Sequence, residues 1–220
     1  MIEVLAKAIH HTTKFGSFNI YIVKGEENQE HVVLTRGDIK KGENILCRVS
    51  SECLPGLSLL SAECDCEEQV QFSLQKISEI EQGIFIYLRQ EGRGHGLVTK
   101  IRALENKNNG YDTFTAVEQL GLPADIRTYA IVKSILDYFE IQSISCITNN
   151  PDKVRAFRNL NISISSVITT PVSANLISYR HLRAKQNRGH KINFAVSNKV
   201  IKSNIKRKYI RYLQPPRNVI

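Results

Sequence analysis

No stretch of this 220-residue chain is long and apolar enough to cross a bilayer. Its longest uncharged apolar runs, such as "GIFIYL", fall far short of the roughly 20 residues a spanning helix needs. A secretory signal is missing too: "MIEVLAKAIHHTTKFG" carries an acidic residue and lacks a basic start, a long apolar stretch and a small-residue cleavage site. Both absences lead to the expectation of a cytoplasmic protein with no membrane partner. Cysteine is scarce and odd in number, at five, and reducing cytoplasm keeps thiols free, which argues against a structural disulfide framework. Paired C-x-x-C spacing, the dinucleotide fingerprint, the Walker pattern and internal repeats are all lacking.

Acidic residues are absent from one end. No Asp or Glu follows Asp152, so residues 153–220 hold 15 of the 30 Lys and Arg, while the first 152 residues set 15 basic against 21 acidic side chains, a balance of −6. Such an end suits an anionic partner, with solvated charge as the commoner reading. From about residue 195 the composition becomes basic and dotted with Ile and Tyr, "NKVIKSNIKRKYIRYLQPPRNVI". The expected layout is therefore one domain over residues 1–194 and a basic tail over 195–220, through which nucleic-acid contact is a minor expectation.

What is present reads as alternating strands and helices. "FNIYIVK" (18–24) and "HVVLT" (31–35) are short β-rich runs forming a hairpin or meander, and "ILCRV" leads into the cysteine segment. Helical spacing at Val70, Phe72, Leu74, Ile77 and Ile80, closed by Gly83, precedes the buried-strand candidate "IFIYL". "RTYAIVKSILDYFEI" predicts a second helix, "QSISCIT" a strand, and "NNPDKVRAFRNLNI" a third helix with an Asn/Pro start. Alternation of this kind predicts an α/β fold, a mixed sheet flanked by helices.

Three of the cysteines, Cys53, Cys64 and Cys66, fall within fourteen positions. Three thiolates leave the fourth position of a tetrahedral zinc open for water, the arrangement of a catalytic site. Three ordinary thiols are the bland alternative. Downstream, "RQEGRGHGLVTKIRA" sets Arg89, Arg93, Lys100 and Arg102 around Gly92, Gly94 and Gly96, a combination suited to a triphosphate, although a surface turn explains it as well. Asp125 and Arg127 stand two apart, facing the same side of an extended segment, and Thr148 and Lys153 flank a helix start suited to anions. Taken singly, each of these clusters also reads as an N-cap, a turn or an exposed ion pair.

Together, "RVSSECLPG", "CDC", "RQEGRGHGL", "KIRA", "GYDT", "QLG", "ADIR" and "TNNPDKV", in that order from about residue 15 to about 190, closely resemble GTP cyclohydrolase II. The resemblance implies a zinc-dependent hydrolase that opens the imidazole ring of GTP, with loss of pyrophosphate and formate, at the start of riboflavin synthesis. It implies zinc ligands at Cys53, Cys64 and Cys66, a proton acceptor at Asp125 and a nucleophile at Arg127. Nucleotide contacts would fall on Arg48, Val49, Ser50, Ser51, Glu52, Gln69, Glu91, Gly92, Arg93, Thr113, Thr148 and Lys153, with Glu52 or Glu91 accepting from the guanine edge. Magnesium with the triphosphate and a homodimer are implied as well.

The chain departs from that pattern in three places. Ser50 replaces a histidine, Glu67 replaces a glycine after the third cysteine, and Leu104 stands where the family has a tyrosine that positions groups at the reacting carbon. A leucine offers no proton, so the last change opens the expectation of a variant that keeps the formyl group and serves a secondary pathway, the bland alternative being that another hydroxyl, such as Tyr111 or Tyr129, takes over. A non-catalytic homologue that binds nucleotide or nucleic acid is the remaining alternative.

Overall fold

The computed structural model describes residues 2–172 and 178–192. Strands β1 (Val4–Thr13), β2 (Gly16–Lys24), β3 (Glu30–Arg36) and β4 (Ile45–Ser51) lead to α1 (Leu54–Leu57), α2 (Cys66–Ile80) and β5 (Gly83–Leu88). A 3-10 turn at Glu91–Gly94 precedes α3 (Gly96–Asn108) and α4 (Thr115–Glu118). Then come α5 (Ala130–Tyr138), β6 (Ile144–Ile147), α6 (Pro151–Asn159), β7 (Ile164–Ile168) and α7 (Tyr179–Asn187). The described residues fall into two compact units. One comprises the chain through Glu52, Glu68–Arg89 and Thr128–Thr170; the other comprises Cys53–Glu67, Gln90–Arg127 and the described residues from Pro171 on. The expected boundary at 194/195 and the basic tail lie outside the described residues.

The first unit carries a seven-stranded sheet in the order β1-β2-β3-β5-β4-β6-β7. The β1, β2, β3 and β5 neighbours pair antiparallel, whereas β5, β4, β6 and β7 run parallel, which makes the sheet mixed, as expected. The central parallel strands β4, β5 and β6 are mostly buried, with both faces covered. Ile45, Cys47 and Val49 of β4, with Ile84, Ile86 and Leu88 of β5, pack with Val132, Ile135 and Leu136 of α5 and Phe157 of α6. Leu46, Phe85 and Ile147 turn the other way, onto Leu74 and Ile77 of α2. Each fully buried aliphatic side chain contributes about 1.5–3 kcal/mol.

Two local features differ from the sequence expectation. Strand β1 was not foreseen because both of its faces are largely exposed, so the ladder to β2 rather than alternating burial specifies it. Helix α2 ends at Ile80, with Glu81 taking the left-handed conformation (φ 60°), so Gly83 is not the cap. Its role is close approach: a Cβ there would stand 2.8 Å from the Leu46 carbonyl oxygen and 3.0 Å from Ile77. The third helix begins as read, with Asn150 Oδ1 accepting the Asp152 N–H at 2.9 Å and Pro151 in the first turn.

Helices make up the regular structure described in the second unit, with small clusters at Ala103, Ala116 and Val117 and at Val172, Leu182 and Ile192. "GYDT" is a helix start: Asp112 Oδ1 accepts the N–H groups of Phe114 (2.7 Å) and Thr115 (3.2 Å) ahead of α4. No helix among the described residues is long and apolar enough to cross a membrane.

Candidate metal centre and nucleotide-binding residues

Cys53 precedes α1, Cys64 lies in the turn that follows, and Cys66 opens α2; their three sulfurs lie within 4.8 Å of one another. Sulfurs bound at about 2.3 Å to one tetrahedral ion lie about 3.8 Å apart, and Cys53 Sγ and Cys64 Sγ are separated by 3.9 Å. The backbone leaves room for this set at Gly56, where a Cβ would stand 2.4 Å from Cys64 Sγ and 3.1 Å from Cys53 Sγ. Hydrogen bonds from Cys64 and Cys66, aided by Lys100, push the Cys53 thiol far down, while its partnership with Cys53 pushes Cys66 up. The Lys100 ammonium faces the cluster, 3.6 Å from Cys53 Sγ. The donors and spacing fit a metal ion. Cys47 and Cys146 lie elsewhere, opposite each other in the β4–β6 ladder, where burial pushes both thiols up; all five cysteines are free.

The glycine-rich segment is a tight turn followed by a helix. Gly92 and Arg93 both adopt left-handed backbone, with φ of 61° each. Gly94 follows with φ 95°, and a Cβ on it would stand 2.8 Å from Ile126. Glu91 is buried and committed internally: its carboxylate accepts the N–H groups of Leu54 (2.5 Å) and Gly92 (2.7 Å) and lies 3.7 Å from Lys100 Nζ. Arg93 stacks on the Phe114 ring at 3.7 Å, and Arg188 also lies over that ring, at 4.5 Å. Burial, then the neighbouring Arg127, bring the Arg93 guanidinium down to about 10. Burial acts to raise the Asp125 carboxyl, but the hydrogen bonds from Arg127 outweigh it and hold it low. Asp125 Oδ1 accepts the Arg127 backbone N–H and Nε–H at 3.1 and 2.9 Å, and Oδ2 accepts from Nη2.

Within the same unit, Cys53, Cys64, Gly92, Arg93, Lys100, Leu104, Lys107, Thr113 and His181 line a cavity of about 50 Å³. Lys100, Ala103, Leu104 and Lys107 are the i, i+3, i+4 and i+7 positions of α3, so a single helix face supplies one wall. Of the four cations grouped in sequence, Arg93 and Lys100 reach this cavity; Arg102 is exposed and Arg89 pairs with Glu52 at 3.1 Å.

The remaining candidates belong to the first unit, at the carboxyl ends of β4 and β6. After β4 the chain proceeds toward β5 on one side, and after β6 toward β7 on the other, so the two strands flank a topological switch point, where open α/β sheets bind ligands. Arg48 donates to the Ile147 carbonyl (3.1 Å) and to Gln69 Oε1 (2.5 Å), and Lys153 Nζ donates to the Val49 carbonyl (2.8 Å). Thr148 Oγ1 accepts the Asn150 N–H. Ser50 and Ser51 continue β4 in register with Tyr87 and Leu88, and the Glu52 N–H closes onto the Leu88 carbonyl. Thus Arg48, Val49, Ser50, Ser51, Glu52, Gln69, Thr148 and Lys153 gather in one unit. Cys53, Cys64, Cys66, Glu91, Gly92, Arg93, Thr113, Asp125 and Arg127 gather in the other.

Lys107 and His181 were not singled out in the sequence. Lys107, held by Glu63 at 2.8 Å, becomes legible once 100–107 is read as a helix; a lone histidine 115 positions beyond Cys66 carries no spacing signal at all.

A family model described as GTP cyclohydrolase II matches residues 4–169. The chain is 41% identical over 179 residues to a GTP cyclohydrolase-2 of Colwellia psychrerythraea, covering 81% of this chain and 89% of that protein. It is 40% identical over 191 residues to a GTP cyclohydrolase-2 of Picrophilus torridus, covering 86% and 99%. A solved two-domain 3,4-dihydroxy-2-butanone 4-phosphate synthase from A. baumannii overlays with a TM-score of 0.46 and 15% identity over 76% of this chain and 40% of that one, a likeness too weak to bear on the fold.

Proposed function

The chain belongs to the GTP cyclohydrolase II family and is a hydrolase of that type, and from this premise we propose that it opens the imidazole ring of GTP with release of pyrophosphate and formate, using zinc held by Cys53, Cys64 and Cys66. The observation that carries this reading is the sulfur cluster around Gly56, whose soft donors favour zinc over magnesium. Cys53, Cys64 and Cys66 would hold the ion, which would supply Lewis acidity and an acidified water for attack on the purine C8. Lys100, 3.6 Å from Cys53 Sγ, would offset the negative charge of the thiolates.

Arg48, Gln69, Thr148, Lys153 and the β4 end (Val49, Ser50, Ser51 and Glu52) would engage the nucleotide, together with Glu91, Gly92, Arg93 and Thr113, and magnesium would accompany the triphosphate. Because Glu91 already receives two backbone N–H groups, Glu52 is the better acceptor for the guanine edge. Asp125 keeps the Arg127 guanidinium charged, so we assign Arg127 to charge stabilisation at the α-phosphate rather than to nucleophilic attack. The enzyme would work in the cytoplasm as a homodimer, in riboflavin biosynthesis, with residues 1–194 as the catalytic domain and 195–220 as a dispensable tail.

A second reading, in which the formyl group is kept, is favoured by one observation: Leu104 lines the cavity beside Cys53 and Cys64. Incubating zinc-replete protein with GTP and measuring pyrophosphate, formate and the pyrimidine product by mass tests both. No ring-opened product would leave only the nucleotide-binding homologue.

A further inference from the structure

The cavity of about 50 Å³ in the second unit has room for a few water molecules or a one-carbon fragment. Its polar lining is mostly spoken for. Lys107 is bound to Glu63, Arg93 to the Ala124 carbonyl, and Lys100 lies between Cys53 and Glu91. His181, brought in by α7, is the exception. Both of its ring nitrogens are buried, and neither has a hydrogen-bond partner among the described residues. The nearest anion, Asp65 Oδ1, is 3.8 Å from Nε2 and is already held by Lys185 Nζ at 2.6 Å. A buried imidazole left without partners is unfavourable unless a water or a ligand supplies them. Nor does it belong to the metal set, since the atoms within 4.8 Å of one another are the three sulfurs alone.

We propose that His181 is a catalytic residue that moves the proton in the hydrolysis of the one-carbon fragment. This inference rests on the ring-opening reading above. Opening the imidazole ring leaves a formamide, R–NH–CHO. A ring nitrogen of His181 takes a proton from the water whose oxygen bonds to the formyl carbon. The C–N bond then breaks with its electron pair passing to nitrogen, which receives the proton back from the imidazolium. The products are R–NH2 and formic acid, which ionises to formate by giving its proton to solvent. Burial, followed by the cations Lys185, Lys107, Arg93 and Lys100, pushes the His181 imidazole well below its ordinary range, so it is neutral at neutral pH and one ring nitrogen keeps a lone pair, with Asp65 Oδ1 3.8 Å from Nε2 and Glu63, Cys53 and Cys64 in the same lining. Leu104, which has no proton to give, shares the cavity wall, and His181 makes that leucine compatible with formate release.

The test compares the zinc-loaded full chain with His181→Ala and His181→Gln, measuring zinc content, pyrophosphate, formate and the pyrimidine product. The expected result is full zinc and near-normal pyrophosphate in both variants, formate release slower by about 10²–10⁴-fold, and accumulation of the formylated pyrimidine. Added free imidazole should restore formate release in His181→Ala and leave His181→Gln slow. Independently of turnover, the imidazole NMR signal that disappears in His181→Gln should shift when GTP is added to the metal-free protein. An unchanged formate-to-pyrophosphate ratio in both variants overturns the proposal. So does joint loss of zinc and both products, which would make His181 a support of the metal site. Pyrophosphate without formate from the unmodified protein overturns it while leaving the ring-opening reading intact; no ring-opened product at all overturns that reading, and this inference with it.

Discussion

The Asp125 carboxylate accepts both the backbone N–H and the Nε–H of Arg127, at 3.1 and 2.9 Å, so one residue fixes the direction in which the other's guanidinium points. If that guanidinium stabilises charge on the α-phosphate, Arg127→Ala loses pyrophosphate release by about 10²–10³-fold while the fold persists. Arg127→Lys keeps a cation without the planar fork and should retain measurable turnover. A covalent role predicts that lysine is as inactive as alanine. Pyrophosphate assays on the two variants, with circular dichroism to confirm folding, separate these outcomes.

Metal content should respond to a residue that is no ligand. Cys64→Ser removes a soft donor and is expected to lose zinc. Gly56→Ala removes no donor, but its Cβ would lie 2.4 Å from Cys64 Sγ, so the sulfurs must separate. Zinc per chain, measured by atomic absorption after dialysis, should fall in both variants. Full zinc in Gly56→Ala would show that the turn can shift without opening the cluster.

Stability should fall as pH drops below about 6.5. His31 is buried in β3 with Nδ1 accepting the Arg89 N–H at 3.1 Å; burial, then Arg89, push its imidazole below the ordinary range, and Glu26 opposes them. A histidine lowered in the folded state binds its proton more readily when unfolded. Stability is therefore full above the unfolded value and declines as pH falls toward the folded one, by at most about 1.4 kcal/mol per pH unit for each lowered histidine, His181 adding to His31. The lowered carboxyls of Asp112 and Asp125 titrate below this window. Urea denaturation at pH 7.5 and 5.5 should show the loss, and His31→Gln, which retains an acceptor, should reduce it.

The parallel core was legible because its strands are buried on both faces and read as apolar runs, and α6 because Asn150 and Pro151 mark its start chemically. β1 was not, since an exposed strand held by ladder bonds carries no burial pattern. In the segment after Glu91, three glycines suggested a loop and hid α3, whose one-sided spacing at Lys100, Ala103, Leu104 and Lys107 was nonetheless present. The cysteines were readable because ligand chemistry restricts residue type. The backbone partners of Glu91 at Leu54 and Gly92 depend on the fold and had no signal in the sequence. His181 reaches the same cavity through tertiary placement alone.

Leu104 and His181 line one cavity, which makes their effects separable by combination. If Leu104 alone governs the fate of the formyl group, the unmodified protein releases formate slowly and Leu104→Tyr accelerates it whatever stands at 181. If His181 moves the proton, the unmodified protein already releases formate in step with pyrophosphate, and a phenol added at 104 has little left to supply. The phenol becomes useful when the imidazole is gone: in the His181→Ala background, Leu104→Tyr should recover at least about tenfold of the lost rate, a fraction of what general acid–base help is worth. The two changes are then non-additive, as expected for groups serving one step in one cavity. Formate per pyrophosphate in the four proteins decides it. Additive effects, with Leu104→Tyr raising formate equally in both backgrounds, would place the two residues in different steps.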